Sequence, residues 1–583
     1  MSADYFVHSL LRAHDWQHRP QLDDVCQWWR NGGRGVLALV GMGGAGKTAI
    51  VERFLRVLPG GLPSDPDVPK DDTLPTPHSV FVFSFYDEYN PEKFFEALQM
   101  WLEHTPRVQT VLSIGQMFFL LQQTPGLMVL DGLEKVQEDG VRGLLGRLAS
   151  PKLREFLDRI AAGYFPELSV LVTSRFPLAD LRDARPQFFR SLPIEEIDLP
   201  AGVRLLRARG VKGTNLQLES IVEACGRHAL TVDFAGGYIA EFGGGDPATP
   251  VDFEMDSERL RQRLDDEPDE ARRHVLKQGH RFARLAERYR EAMRGDTTDR
   301  SEGDAAALAL LERICLFRLG VEAETLANIF TGKKAVKVSG RALAGLSGAQ
   351  LQKKLDWLVR MRIVESQFVS GNPQSAIRNL QSATRYSIHP AVRDGFLSGI
   401  GDAALRDNHE AVRQGLEVSL GDAPGENPSD PATLDLLEEI VHHTLQSGHV
   451  RKAWEIYETR IGGVDNLARR LGANERGLRI CQAFFGRIFR PSFDLRNSAL
   501  TLEKLRRQME SETAPFNDLS KTEQHSLIHD TARYLEGLGR ILDAAHCEKM
   551  YLSDETKAHQ QIITASWQRI ADSKARLADL SFR

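Results

Sequence analysis

The sequence predicts a multidomain α/β plus α protein: a parallel α/β sheet, then a helical domain, a winged-helix domain and an all-helical tail. Three observations carry this. Short apolar runs at Gly35–Val40, Val80–Phe85, Leu127–Asp131 and Ser169–Arg175 are continuous rather than alternating, as parallel strands covered on both faces require. The first run leads straight into a glycine-rich loop and an amphipathic helix. Past Pro200 strand patterns nearly vanish and helical ones take over.

Bulk properties fit this class. The chain has 583 residues, 42% hydrophobic and 26% charged. That is ordinary globular usage, enough for about three or four domains. A net charge of −6 argues against a chain that coats nucleic acid over its whole surface. No apolar run approaches the roughly 18 residues of a membrane span. The start, MSADYFVHSLLRAHD, lacks the basic and apolar regions of a secretion signal. Cys26, Cys225, Cys315, Cys481 and Cys547 lie far apart without a CxxC pair, so reduced, buried thiols in a cytoplasmic protein are expected.

Element by element, the helix after the loop is read from Ile50, Val51, Phe54, Leu55 and Leu58 at helical spacing. The proline-rich stretch Gly60–His78 reads as a loop. About 35 residues precede the first apolar run, too few for an independent effector domain. Residues 200–245 read as helices and 252–292 as one charged amphipathic helical stretch. The polar linker Arg294–Asp304 separates it from helices that end in a Gly/Asn/Ser-rich hairpin, Ile363–Pro390, the pattern of a winged helix. A second linker, Gly421–Ala432, introduces the tail. There Gly448, Ala453 and Tyr457 match the spacing of a tetratricopeptide repeat, echoed in part by Gly539 and Ala544. The domains expected are 1–199, 200–300, 301–402 and 403–583.

The strongest chemical signal is Gly41-Met42-Gly43-Gly44-Ala45-Gly46-Lys47-Thr48, followed by Ala49. Glycines let consecutive backbone N–H groups turn toward phosphate oxygens, and the helix that follows adds its positive dipole end. Lys47 is the cation for the β- and γ-phosphates of ADP or ATP, and Thr48 the hydroxyl for Mg2+. Asp131, at the end of another apolar run, is the second Mg2+ residue, and Glu134 the group that polarises a water. Arg175 closes the fourth run, where its fork can reach a phosphate.

In this order and spacing, GMGGAGKT, LMVLDGLE and VLVTSR resemble the STAND class of NTPases, which includes the NB-ARC and NACHT domains. The loop is nearly the NB-ARC form, while the Asp-Gly-Leu-Glu turn is more similar to the NACHT pattern, with Lys135 where further acids usually stand. Cys225-Gly226-Arg227-His228-Ala229-Leu230 resembles the helical-domain motif whose proline packs on adenine, with Ala229 in the proline position. Tyr386-Ser387-Ile388-His389-Pro390 resembles the end of the family's winged helix, which implies that His389 touches the β-phosphate of ADP. His18-Arg19-Pro20 stands where the family clasps adenine from the entering chain, which makes Arg19 a nucleotide residue.

The resemblance implies a switch held closed by ADP, opened by a trigger on the C-terminal helical region, and self-associating after ADP–ATP exchange. Hydrolysis would be slow at most. The context implied is bacterial immune defence or signalling. The output is expected from another chain, from sequence beyond Arg583, or from oligomerisation. A membrane partner is not expected. A DNA-associated ATPase is the second reading. It rests on Lys333, Lys334, Lys337, Arg341, Lys353, Lys354, Arg360 and Arg362, opposed within 331–362 by Asp356 alone.

Overall fold

The structure, a computed structural model, describes residues 5–548 apart from 7, 9, 11–14, 64, 87–90, 106–111, 138–145, 268–269, 296–303, 319, 333–340, 370–382, 398, 421–426, 486–514, 539–543 and 546. Six strands form one parallel sheet: β1 (Tyr5–Phe6), β2 (Gly35–Val40), β3 (Val80–Ser84), β4 (Gly126–Asp131), β5 (Leu168–Ser174) and β6 (Phe189–Pro193). Their spatial order is β1-β3-β4-β5-β2-β6. β2 to β5 are the four apolar runs, and β3, β4 and β5 are buried at every residue. Helices cover both faces, so no polar residue is needed on either.

Two strands were not anticipated. β6, Phe-Arg-Ser-Leu-Pro, is an edge strand in which only Leu192 is buried, so nothing forces an apolar run. β1 pairs only Tyr5 with Phe81 and Phe6 with Val82. It lies well before Gly35, which corrects the expectation that the first strand begins there.

The sheet order decides where the chemistry falls. β5 lies between β2 and β4, with Val40 opposite Ser174 and Leu130 opposite Val172. Ser84 lies opposite Asp131 across the next pair. The ends of β2, β3, β4 and β5 therefore share one edge, the edge where open α/β sheets place their ligands.

Beyond the sheet, helices Leu199–Ala208, Asn215–Ala224 and Ala229–Phe242 match the expected helical domain. The 252–292 stretch is not one helix. It begins in a turn, where the Asp252 carboxylate accepts from the Glu254 amide at 2.9 Å and Glu254 has φ +45°. Helices Glu258–Asp265 and Glu270–Arg294 then follow. Next come helices Ala305–Ile314, Ala323–Phe330 and Gly348–Arg360 and an antiparallel sheet of β7 (Val321–Glu322), β9 (Ala383–Ser387) and β8 (Glu365–Val369), in that spatial order. Helices followed by a hairpin are the arrangement anticipated; the hairpin tip lies outside the described residues.

The linker at Arg294–Asp304 marks no energetic boundary. One continuous core runs from Ile197 through Tyr238, Leu285, Leu311, Leu355 and Phe396 to Val412, joining both units and the first tail helix, Asp402–Leu420. Arg290 rivets it from within. Its guanidinium donates to the Phe396 carbonyl, lies 3.3 Å from Glu312 and sits 5.4 Å from the Phe396 ring centroid. The tail has a separate core around Leu437, Ile440, Trp454, Phe484 and Leu535.

At the repeat-like segment Gly448 takes φ +84°, and Ala453 and Tyr457 are fully buried. After Trp454, however, the backbone widens into π-helix over Ile456–Ile461 and Asp465–Arg470. Asn466 donates to the Ile461 carbonyl at 2.6 Å, satisfying an acceptor that the wide turn leaves over. Gly539 lies outside the described residues. The five cysteines are buried and free, as expected. Trp28, Trp29, Trp101 and Trp454 are buried in cores. No described helix is long and apolar enough to cross a membrane.

Candidate nucleotide site

The glycine loop leaves β2 through Gly41, whose amide donates to the Ser174 carbonyl at 3.1 Å. It enters helix Lys47–Val57 through Gly46 at φ +98°. Ile50, Val51, Phe54 and Leu55 bury the apolar face of that helix, which fixes its N-terminus over the strand ends. Glycine is required twice in the loop for different reasons. A Cβ at Gly43 would lie 2.7 Å from the Arg175 guanidinium carbon, and Gly44 has φ +83° with Leu230 2.7 Å from such a Cβ.

Lys47 is buried and donates to two carbonyls of its own loop, Gly41 at 2.7 Å and Met42 at 2.8 Å. Burial pushes its ammonium down to about 8, opposed by Glu134 and reinforced by Arg175. Thr48 donates to Asp131 Oδ1 at 2.7 Å. The same oxygen accepts from Thr173 at 2.6 Å, and Oδ2 accepts from Ser84 at 3.3 Å. Asp131 is thus held by three hydroxyls from three elements. Burial raises its carboxyl, and the Thr173 and Thr48 hydrogen bonds oppose that.

Glu134 is buried rather than a solvated surface glutamate, because the turn after Asp131 winds back as a short 3-10 helix, Leu133–Val136. Its Oε2 accepts from the Arg175 amide at 3.2 Å, and its Oε1 lies 3.0 Å from Arg175 Nε. The Tyr86 hydroxyl also donates to Oε1. Arg175 Nη2 is buried and makes no hydrogen bond among the described residues, a donor held next to the loop.

Residues distant in sequence complete the site. Arg19 is buried and donates to the Ala45 carbonyl at 3.1 Å and the Glu195 carbonyl at 2.9 Å, clamping the loop from behind; His18 instead faces solvent beside Asp23. Burial lowers the Arg19 guanidinium, against the pull of Asp198. The Gly226–Leu230 motif docks directly on the loop. His228 shares a hydrogen bond with the Gly43 carbonyl at 2.9 Å, and the Leu230 amide donates to the Gly44 carbonyl at 3.2 Å. Because Gly43 O can only accept, His228 Nε2 carries the proton, and Nδ1 accepts from Thr231 at 2.9 Å.

His389, just after β9, enters the same electrostatic cluster. Burial pushes it down to about 3, helped by Arg175, His228, Lys47 and Lys135. His228 is likewise pushed down to about 3, chiefly by burial. Both rings are therefore neutral near pH 7, and His228 acts as a hydrogen-bonding group.

These residues fit a nucleotide phosphate with its metal. The loop is a cradle that a Cβ would fill, and Arg175 Nη2 is an orphaned cation donor beside it. Thr48 and Asp131 are hard oxygen donors suited to Mg2+. Among the described residues no group of three His, Cys, Asp or Glu side chains could hold a metal by itself. Such a metal would arrive with the phosphates.

Reading the sequence alone located Lys47, Thr48, Asp131, Glu134 and Arg175 but gave no role to Tyr86, Ser84 or His228. His228 had a signal, since it lies inside a motif already noted. Tyr86 had none, because its proximity to Glu134 comes from the pairing of β3 with β4.

The strand–loop–helix unit, the strand order and the acidic strand end define the fold of a P-loop NTPase, followed by helical units. No protein-family profile matches the chain, and no curated protein matches it in sequence. Solved structures do. A signal transduction ATPase with numerous domains (STAND) from Pyrococcus horikoshii, with a tetratricopeptide repeat sensor, is similar at 11% identity and TM-score 0.44 over 94% of this chain. The chain spans 65% of that protein's length. The Walker-type ATPase of Pyrococcus abyssi is similar at 13% identity and TM-score 0.28, covering 67% of this chain and 98% of its own. The ORC1 protein of Aeropyrum pernix, in complex with DNA, is similar at 15% identity and TM-score 0.25, covering 65% and 92%.

Proposed function

We propose that the chain is a STAND-type molecular switch that binds ADP or ATP with Mg2+ between its sheet domain (1–199) and a winged-helix unit (301–402). The observation that supports this reading is the gathering of Lys47, Arg175 and His228 on one glycine loop, with His389 from a third part of the chain within their electrostatic reach. Bound nucleotide and Mg2+ would supply the transferable phosphoryl group and the charge that polarises it.

The chain's own residues have defined tasks. Lys47 exchanges its two loop carbonyls for an anion. Thr48 and Asp131 hold the metal's shell, and Glu134 orients a water. Arg175 offers its orphaned Nη2 to a phosphoryl oxygen, and Arg19 and the Gly226–Leu230 motif keep the loop in shape. His389 reports whether the winged helix is docked.

A ligand moves such a switch only by binding its two states unequally; going from 1:99 to 99:1 takes about 5.5 kcal/mol. His389 supplies a contact that exists in the docked state alone. Release of the winged helix by a trigger on the tail (403–583) would then permit exchange and self-association. The effector would be a separate protein or a further domain outside the units described. Bacterial immune defence or signalling is the setting we favour. NB-ARC and NACHT affinities and a TPR-like tail belong to this same reading.

The DNA-associated reading is weakened by its own residues. Lys354 pairs with Asp304, and Arg362 pairs with Asp15 and lies 3.6 Å from Asp233. Both cations are thus engaged within the protein. Lys353, Arg360 and Arg341 are exposed, while Lys333, Lys334 and Lys337 lie outside the described residues.

The test is calorimetric titration of the purified chain with Mg–ADP and Mg–ATP from pH 7 to 9.5. ADP is expected to bind at least about tenfold tighter than ATP, a difference of ~1.4 kcal/mol. An anion favours the charged form of Lys47, so affinity should hold below pH 8 and decline above it as the ammonium is lost. Lys47→Arg should remove that decline. Equal affinity for the two nucleotides would sink the switch.

A further inference from the structure

Tyr86 follows β3 at the rim of the site, half-buried, and its hydroxyl donates to Glu134 Oε1. The Arg175 amide holds Oε2 at 3.2 Å, so each carboxylate oxygen already has a partner. The Glu134 side chain is only 5% exposed, so little of its carboxylate faces solvent while Tyr86 is in place. A carboxylate can orient a water only through a lone pair that faces it.

The ring of Tyr86 is built into this position. It lies flat against Gly132, where a Cβ would come within 2.7 Å of the ring, and Gly132 holds φ +75°. Lys135 lies over the ring, its Nζ 5.5 Å from the centroid. Burial, with the negative charge of Glu134 beside it, raises the Tyr86 hydroxyl well above its ordinary value, so it remains a donor across the whole working pH range.

We infer that Tyr86 is a positioning residue that latches Glu134 in a non-catalytic orientation, and that hydrolysis is regulated by whether Tyr86 keeps or releases that carboxylate. The inference rests on Glu134 as the water-orienting group. Of the partners of Glu134, the Arg175 amide belongs to β5's end and cannot leave without disturbing the sheet, whereas Tyr86 reaches in by a side-chain rotation. Release of Tyr86 returns one lone pair of Oε1, while the Arg175 guanidinium 3.0 Å away and the Arg175 amide on Oε2 keep the carboxylate in place. The hydroxyl proton stays on Tyr86 throughout.

The test is steady-state ATP turnover of the full chain and its Tyr86→Phe and Glu134→Gln variants, with ADP affinity measured on each as a check of folding. Tyr86→Leu serves as a second variant. Tyr86→Phe removes one hydrogen bond to a charged group, so kcat should rise about tenfold at unchanged KM, equivalent to ~1.4 kcal/mol. A generic packing defect would not raise kcat. If Glu134→Gln abolishes turnover but neither Tyr86 variant raises it, the latch is wrong and Glu134 stands. If Glu134→Gln leaves turnover intact, Glu134 is not the water-orienting group, and the latch falls with it.

Discussion

Lys47→Ala is expected to weaken ADP and ATP binding at least about a hundredfold, or ~2.7 kcal/mol, by calorimetry. No other described residue combines its features. It is a buried cation at the start of the helix, aimed along the loop, and its two acceptors are carbonyls of the same loop. Truncation removes the charge and also leaves the Gly41 and Met42 carbonyls without donors, so loss of binding should come with a modest loss of stability. Lys47→Met keeps the stem and separates the two effects. Its binding should be lost as fully while its unfolding midpoint stays nearer that of the parent. Retained tight binding in both variants would mean that the loop's amides alone carry the phosphate.

Arg290→Ala should be a damaging truncation in the shared core, at about 1–3 kcal/mol, because it leaves the Gly395 and Phe396 carbonyls without their donor and Glu312 with Arg313 alone. Arg290 belongs to helix Glu270–Arg294 and is 7% exposed at its side chain. It binds Gly395 and Phe396, in the helix Pro390–Leu397 that begins right after His389. A Cβ at Gly399 would lie 2.0 Å from the guanidinium, so the chain around it is fitted to that group. Urea unfolding followed by tryptophan fluorescence should show an earlier transition in the variant, and ADP should dissociate faster. Arg290→Met fills much of the volume and should recover part of the stability but not the slow dissociation. An unchanged dissociation rate in both would uncouple the rivet from His389.

The parts that were legible in the sequence are those fixed by local chemistry. β3, β4 and β5 announce themselves because they are buried on both faces and so, Ser169 excepted, are apolar up to their C-terminal ends. Those ends, Asp131 and Arg175, stand out for the same reason. β6 was hidden because an edge strand tolerates Arg190 and Ser191 on solvent. The split of the 252–292 stretch falls between Asp265 and Glu270, where Pro268 is a single break signal inside an otherwise continuous charged, amphipathic pattern.

What remained invisible came from tertiary adjacency. Tyr86 meets Glu134 only because β3 pairs with β4, and His228 meets Gly43 only because the helical domain packs onto the loop. The polar linker at Arg294–Asp304 suggested two units, but the apolar faces on its two sides complete each other in one core. His389 was indicated by family resemblance and by nothing local; its environment of Arg175, His228 and Lys47 is created by the docking of β9's end on the sheet domain.

The central claim is that ADP is gripped from two sides at once, by Lys47 and Thr48 of the loop and by His389 of the winged-helix unit. The direct measurement is to denature the purified protein and quantify the released nucleotide by chromatography, for the parent and for His389→Ala. The parent should release close to one ADP per chain, and His389→Ala should release little while still binding added nucleotide through the loop. A parent purified without nucleotide, or a His389→Ala variant that retains ADP as fully as the parent, would contradict the two-sided grip.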